Sequence, residues 1–221
     1  MNLTLKESLV TRSRVFSPWT AFYFLQSLLI NLGLGYPFSL LYTAAFTAIL
    51  LLLWRTLPRV QKVLVGVSSL VAACYFPFAQ AYGAPNFNTL LALHSTNMEE
   101  STEILTIFPW YSYLVGLFIF ALGLIAIRRK KENEKARWNT FDSLCLVFSV
   151  ATYFVAPVQN LAWGGVFKLK DTGYPVFRFA KDVIVNNNEV IEEQERMAKL
   201  SGMKDTWTVT AVKPKYQTYV V

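Results

Sequence analysis

Charge is scarce in this sequence. Only 16% of its 221 residues are Asp, Glu, Lys or Arg, against about 25% in a soluble domain. The shortage is also uneven. No charged residue occurs from Val15 to Trp54, from Val63 to Met98, from Ile104 to Ile127 or from Ser143 to Phe167. Histidine occurs once, at His94, and cysteine twice, at Cys74 and Cys145. Without a CxxC pair or a Cys/His cluster, these residues build neither a metal site nor a catalytic relay. Both cysteines fall in apolar windows and read as small packing residues. A cleavable secretion signal is missing too: residues 1–16 are polar, and the apolar stretch behind them is too long and lacks a small-x-small site.

Hydrophobic residues make up 54% of the chain, with a mean hydropathy of +0.35. Each uncharged window exceeds the roughly 20 residues that cross a hydrocarbon core of about 30 Å. None carries the polar stripe of a soluble helix. The first window holds two crossings, divided at Gly33-Leu34-Gly35-Tyr36-Pro37. The pattern predicts an all-α membrane protein with five spans, at about 17–35, 38–55, 63–81, 109–127 and 140–162. Ser17-Pro18 opens the first as N-cap and N1 proline, and Pro77 lies inside the third.

Basic residues orient the spans. Twelve of the 21 precede the first span or fall between spans two and three and spans four and five: Lys6, Arg12, Arg14, Arg55, Arg59, Lys62, Arg128, Arg129, Lys130, Lys131, Lys135 and Arg137. The 82–108 loop has none. The expected topology is therefore N-terminus inside and C-terminal tail outside. Trp19, Trp54, Trp110, Trp138 and Trp163 fall at span ends, as an interfacial aromatic belt requires. Because topology accounts for most of the basic residues, the net charge of +7 does not imply a nucleic-acid partner.

Two segments lie outside the spans. In the 82–108 loop, Thr89 to His94 suits a short interfacial helix. Ser95-Thr96-Asn97 can cap a second one, with Glu99 and Glu100 in its first turn. Thr96 and Glu100, four apart, can share a face. On spacing alone this is equally a solvated, self-capping loop, and His94 reads as an interfacial packing residue. The tail from 164 holds nine Lys/Arg and seven Asp/Glu. Over 175–200, Phe177, Ala180, Ile184, Ile191 and Ala198 recur at helical spacing. That suits a helix lying on a membrane surface or one docked on a partner domain. Asn186-Asn187-Asn188 weakens its middle. After Gly202 the period becomes two, through Trp207, Val209 and Ala211 and then Tyr216, Thr218 and Val220. An apolar strand running into the last residue, Val221, is the expected mark of a fragment cut at the first strand of an α/β domain. The segments divide into 1–163 (transmembrane), 164–204 (amphipathic bridge) and 205–221 (start of a missing domain).

Five spans, a loop between spans three and four, an amphipathic bridge and a tail ending in a strand resemble the phosphoethanolamine transferases of Gram-negative bacteria. The resemblance covers the whole chain and is closest to members that modify osmoregulated periplasmic glucans. It implies an inner-membrane enzyme that moves phosphoethanolamine from phosphatidylethanolamine to a glucan acceptor. A zinc-dependent, alkaline-phosphatase-like α/β/α domain in the periplasm would carry the nucleophile and the zinc ligands, all beyond residue 221. It further implies that Thr96 and Glu100 contact the lipid head group. Ala92 stands where an Asn is expected, so Asn97 or Asn88 would substitute. A carboxylate pairs with the ethanolamine ammonium and a hydroxyl hydrogen-bonds phosphate. The competing readings are a small channel or transporter and a non-catalytic membrane scaffold. The uncharged windows disfavour the channel, since they hold no Asp, Glu, Lys or Arg, and Asp142 lies only at a span boundary.

Overall fold

A computed structural model of the chain describes residues 18–96, 103, 106–129, 138–166 and 172–201. The strand pattern expected after Gly202 lies outside them. The described residues form seven helices: α1 (Pro18–Gly33), α2 (Leu40–Thr56), α3 (Pro58–Tyr82), α4 (Phe87–Ser95), α5 (Trp110–Arg128), α6 (Thr140–Ala162) and α7 (Pro175–Ser201). Helices α3, α5 and α6 are long and apolar enough to cross a membrane, and α2 is a shorter apolar helix. With 16 residues, α1 is about 24 Å long.

Two boundaries depart from the sequence expectation. The basic segment 55–62 is not a loop: α2 runs through Arg55 to Thr56, Leu57 alone links, and α3 begins at Pro58 rather than near 63. Proline at a first helical position needs no donor. Long basic side chains can stand in a helix turn while their charges reach water, so Arg59 and Lys62 do not break it. The first span is also shorter than expected. It ends at Gly33, and Gly35 turns the chain with φ +80°. A Cβ on Gly35 would run into the Gly83 backbone just beyond α3, so this turn needs glycine for both dihedral and space.

Helix α1 sits at the centre, against α2, α3, α5 and α7, while α6 packs on α2. Its inward face is polar. Gln26 Nε2 donates to Ser69 Oγ of α3 at 2.7 Å and to the Ile119 carbonyl of α5 at 3.4 Å. The Thr47 hydroxyl of α2 donates to Ser27 Oγ at 3.2 Å, and Asn31 Nδ2 donates to Thr43 Oγ1 at 3.1 Å. Helices α3 and α5 meet through small residues. Cβ atoms added at Gly116 and Gly123 would lie 2.6 Å from the Ala73 carbonyl oxygen and from Ser69, so side chains there would force the helices apart. Cys145 is buried, but Cys74 is exposed. The expected packing role of Cys74 is therefore corrected: its side chain is not buried against the other helices.

One end of the bundle is fastened by charge. Asn139 and Asp142 form a reciprocal capping box at the start of α6. Arg55 of α2 donates to both Asp142 carboxylate oxygens and, at 3.0 Å, to Asn139 Oδ1. The Asp142 side chain is only 3% exposed. At the same end the Arg129 guanidinium lies 4.2 Å from the Trp19 ring centroid and 3.6 Å from that of Trp54, a cation–π enclosure.

Truncating one member of a buried ion pair leaves the other charge uncompensated, at a cost of about 3–5 kcal/mol. Arg55→Ala should therefore lower the unfolding temperature in detergent more than the double variant Arg55→Ala/Asp142→Ala does. Equal loss in single and double variants would mean that the pair is not a coupled unit.

Candidate functional site

At the opposite end, four chain segments enclose a cavity of about 510 Å³. They are the α1–α2 turn (Tyr36, Pro37, Ser39), Tyr42 in the first turn of α2, the last turns of α6 (Ala156, Gln159, Asn160), and the run from Thr172 through Gly173 into α7 with Arg178, Lys181 and Asp182. Tyr36 anchors the arrangement. Its hydroxyl donates to Asp182 Oδ2 at 2.8 Å. Arg178 Nε lies 3.4 Å from the same oxygen, and the Arg178 guanidinium stands 5.0 Å from the Tyr36 ring centroid. Behind them, Tyr174 donates to the Ser149 carbonyl at 2.8 Å and meets Tyr42 edge-on at 5.8 Å. The Tyr42 ring lies directly on Gly173, leaving no room for a Cβ.

Burial, and then the hydrogen bond to Asp182, push the Tyr36 phenol well above its usual range. Burial pushes Tyr174 up to about 12. Both hydroxyls therefore remain donors at neutral pH. The cavity has one carboxylate and two cations, a set suited to a polar or anionic ligand and not to a metal ion. Among the described residues no group of three His, Cys, Asp or Glu is placed to hold a metal.

Of the residues expected at the head-group site, Thr96 is described, whereas Asn97 and Glu100 lie outside the described residues. Thr96 is the C-cap of α4, with extended backbone. Its hydroxyl donates to the Ala92 carbonyl, and Ser95 donates to the Leu91 carbonyl at 2.9 Å. Both side chains thus close α4, which begins two residues earlier than expected because Asn86 caps it through Thr89 N at 3.0 Å. His94 joins α4 to α7, its Nε2 lying 2.8 Å from Asn187 Oδ1.

Helix α7 meets the bundle through a face other than the stripe read in the sequence for a membrane surface or a partner domain. Val176, Phe179 and Val190 turn inward, while Phe177, Ala180, Ile184, Ile191 and Ala198 are exposed. Both stripes are apolar at helical spacing, so periodicity alone could not choose between them. Sequence reasoning also missed Tyr36, Tyr42, Lys181 and Asp182. Their only local signal was the i,i+4 spacing of Arg178 and Asp182.

The chain is 99% identical, over all 221 residues, to phosphoethanolamine transferase OpgE of Escherichia coli (strain K12). The resemblance to the phosphoethanolamine transferases is near identity. The chain spans 42% of the length of that relative. No family model and no solved structure matches it. The cavity lining and the end of α4 are both tied to α7, through Tyr36 to Asp182 and His94 to Asn187.

Because the folded state holds Tyr36 and Tyr174 above their unfolded values, their contribution to stability is complete below about pH 10. It is lost as pH rises through the folded values. Protection of α7 amides from hydrogen exchange should fall with rising pH above about 10, and Tyr36→Phe should reduce that dependence. An unaltered pH profile in the variant would exclude Tyr36 as the titrating tether.

Proposed function

We propose that this chain is the membrane domain of a phosphoethanolamine transferase. In this reading the enzyme moves phosphoethanolamine from phosphatidylethanolamine to osmoregulated periplasmic glucans. The observation that carries the proposal is the 99% identity to the transferase over the full length of the chain. Helices α1, α2, α3, α5 and α6 are the five spans of a bacterial inner-membrane protein, with the N-terminus in the cytoplasm and the segment after α6 in the periplasm. Residues 1–163 are the transmembrane unit and 164–204 the bridge. Residues 205–221 begin the catalytic domain, which supplies the nucleophile and the zinc ligands. The membrane unit anchors that domain and presents the lipid donor to it.

Three residues of the 82–108 loop are assigned to the donor head group. Glu100 pairs with the ammonium, Thr96 turns its hydroxyl hydrogen from the Ala92 carbonyl to donate to the phosphate, and Asn97 takes the place left by Ala92. Charge placement supports the orientation, since the basic loops share one side and the 82–108 loop carries no Lys or Arg. The channel or transporter reading is disfavoured by Asp142. This boundary carboxylate is engaged by Arg55 and by its own capping box, which leaves it a fastening role and no transport pathway.

In the full-length transferase, Glu100→Ala should reduce glucan modification at least about tenfold, the scale of one charge-assisted contact. Unchanged modification at normal expression would remove Glu100 from the site. Cysteine accessibility tests the topology independently. Single cysteines at Asn88 and at Ser201 should react with an impermeant thiol reagent in intact cells, and one at Lys135 should react only after permeabilisation. Labelling on the opposite sides would invert the assignment.

A further inference from the structure

We propose that His94 of α4 and Asn187 of α7 are positioning residues for the transfer reaction. Their contact fixes the far end of α4, and with it Thr96, against the helix that leads to the catalytic domain. The inference rests on the reading that the loop carrying Thr96 holds the donor head group. It adds that this loop takes its place from α7.

Helix α4 has no core anchor of its own. None of its nine residues is buried, and it packs chiefly on α7. A helix this short is marginal by propensity alone. Without a buried apolar side chain, its seat depends on polar contacts. Its start is capped by the Asn86 side chain on Thr89 N, and its end is closed by the Thr96 hydroxyl on the Ala92 carbonyl. Neither bond reaches another helix. Two contacts from α7 do. His94 Nε2 lies 2.8 Å from Asn187 Oδ1, and Asn186 Nδ2 donates to the Pro85 carbonyl at 3.5 Å, the weaker of the two. One contact falls just before the first turn of α4 and the other in its last turn, so α7 holds both ends.

The same contacts give a use to the asparagines at the centre of α7. Asparagine is a poor residue for a helix interior, because its side chain competes for backbone groups. Yet Asn186-Asn187-Asn188 stands within a 27-residue helix. Asn186 also donates to the Asp182 carbonyl at 2.6 Å, and the Asp182 carboxylate accepts from Tyr36. Helix α7 is further fastened to α3 by the Phe179 ring, which meets Tyr75 edge-on at 5.0 Å. Support therefore runs from the bundle to α7, and from α7 to the end of α4. On the transferase reading, one helix then carries both the donor loop and the domain that attacks the donor. Releasing α4 misplaces the donor and leaves the acceptor untouched.

The test uses the full-length transferase in mixed micelles of graded phosphatidylethanolamine content. Asn187→Ala and His94→Leu should each raise the KM for the lipid donor about three- to tenfold, the scale of one neutral hydrogen bond. The KM for the acceptor should not change. The double variant should be no worse than either single one, since both remove the same contact. His94→Gln, whose amide can donate from nearly the place of Nε2, should restore the donor KM. Amides of residues 87–95 should exchange hydrogen faster in Asn187→Ala and His94→Leu, and at the wild-type rate in His94→Gln. A loss of kcat alone, with both KM values unchanged, would make the contact merely structural and overturn the proposal. Unchanged exchange over α4 would overturn it as well. Faster exchange with an unaltered donor KM would also sink the positioning role. Glu100→Ala then separates the two readings: if it still lowers transfer, the donor loop stands and only the role of His94 and Asn187 fails.

Discussion

The bundle depends on the hydrogen bonds that the polar face of α1 makes inside an apolar surround. They run through Gln26 Nε2, Ser27 Oγ and Asn31 Nδ2, while Gln26 Oε1 and Asn31 Oδ1 are buried without a partner among the described residues. Gln26, Ser27 and Asn31 have no exposure to speak of, and in hydrocarbon an unpaired amide or hydroxyl costs several kcal/mol. Their partners, Ser69, Ile119, Thr47 and Thr43, belong to three different helices. Making these bonds from one helix therefore positions α2, α3 and α5 around it. The close α3–α5 seam follows, because Gly116 and Gly123 let Ser69 and the Ile119 carbonyl come within reach of the same Gln26 side chain.

The two ends are closed by different chemistry. At one, Arg55, Asp142 and Arg129 are fastened by an ion pair, a capping box and aromatic faces. At the other, backbone lies against backbone at Gly35 and Gly83, and α7 is tied down through Tyr36, Tyr174 and His94. The second end has the room: the cavity forms where α7 crosses the mouth of the α2–α6 pair, and it is lined by polar groups. A tether made of neutral phenols and one shared carboxylate holds α7 without filling the space beside it.

Fold class was legible in the sequence because the uncharged windows are absolute. A chain that withholds charge from Val15 to Trp54 and again from Ser143 to Phe167 specifies apolar helices whatever their neighbours. The breaks at Gly33–Pro37 and before Trp110 were equally local. The start of α3 was misjudged because Arg59 and Lys62 read as loop residues, although nothing in a helical turn excludes them. The face of α7 that meets the bundle was not legible in the sequence, for another reason. Its two apolar stripes are alike in composition, and only the contact with the bundle selects Val176, Phe179 and Val190.

What the sequence determined alone was the helical, apolar character of the chain and the approximate place of its apolar helices, the grouping of basic residues between them, and a near identity that carries the functional proposal. These are properties of local composition and of order along the chain. Tertiary structure decided which polar residues meet. Tyr36, Asn160 and Asp182 are separated by more than a hundred residues in two steps, and no periodicity links them. They line one cavity because the packing of the bundle brings the α1–α2 turn, the end of α6 and the start of α7 to the same end.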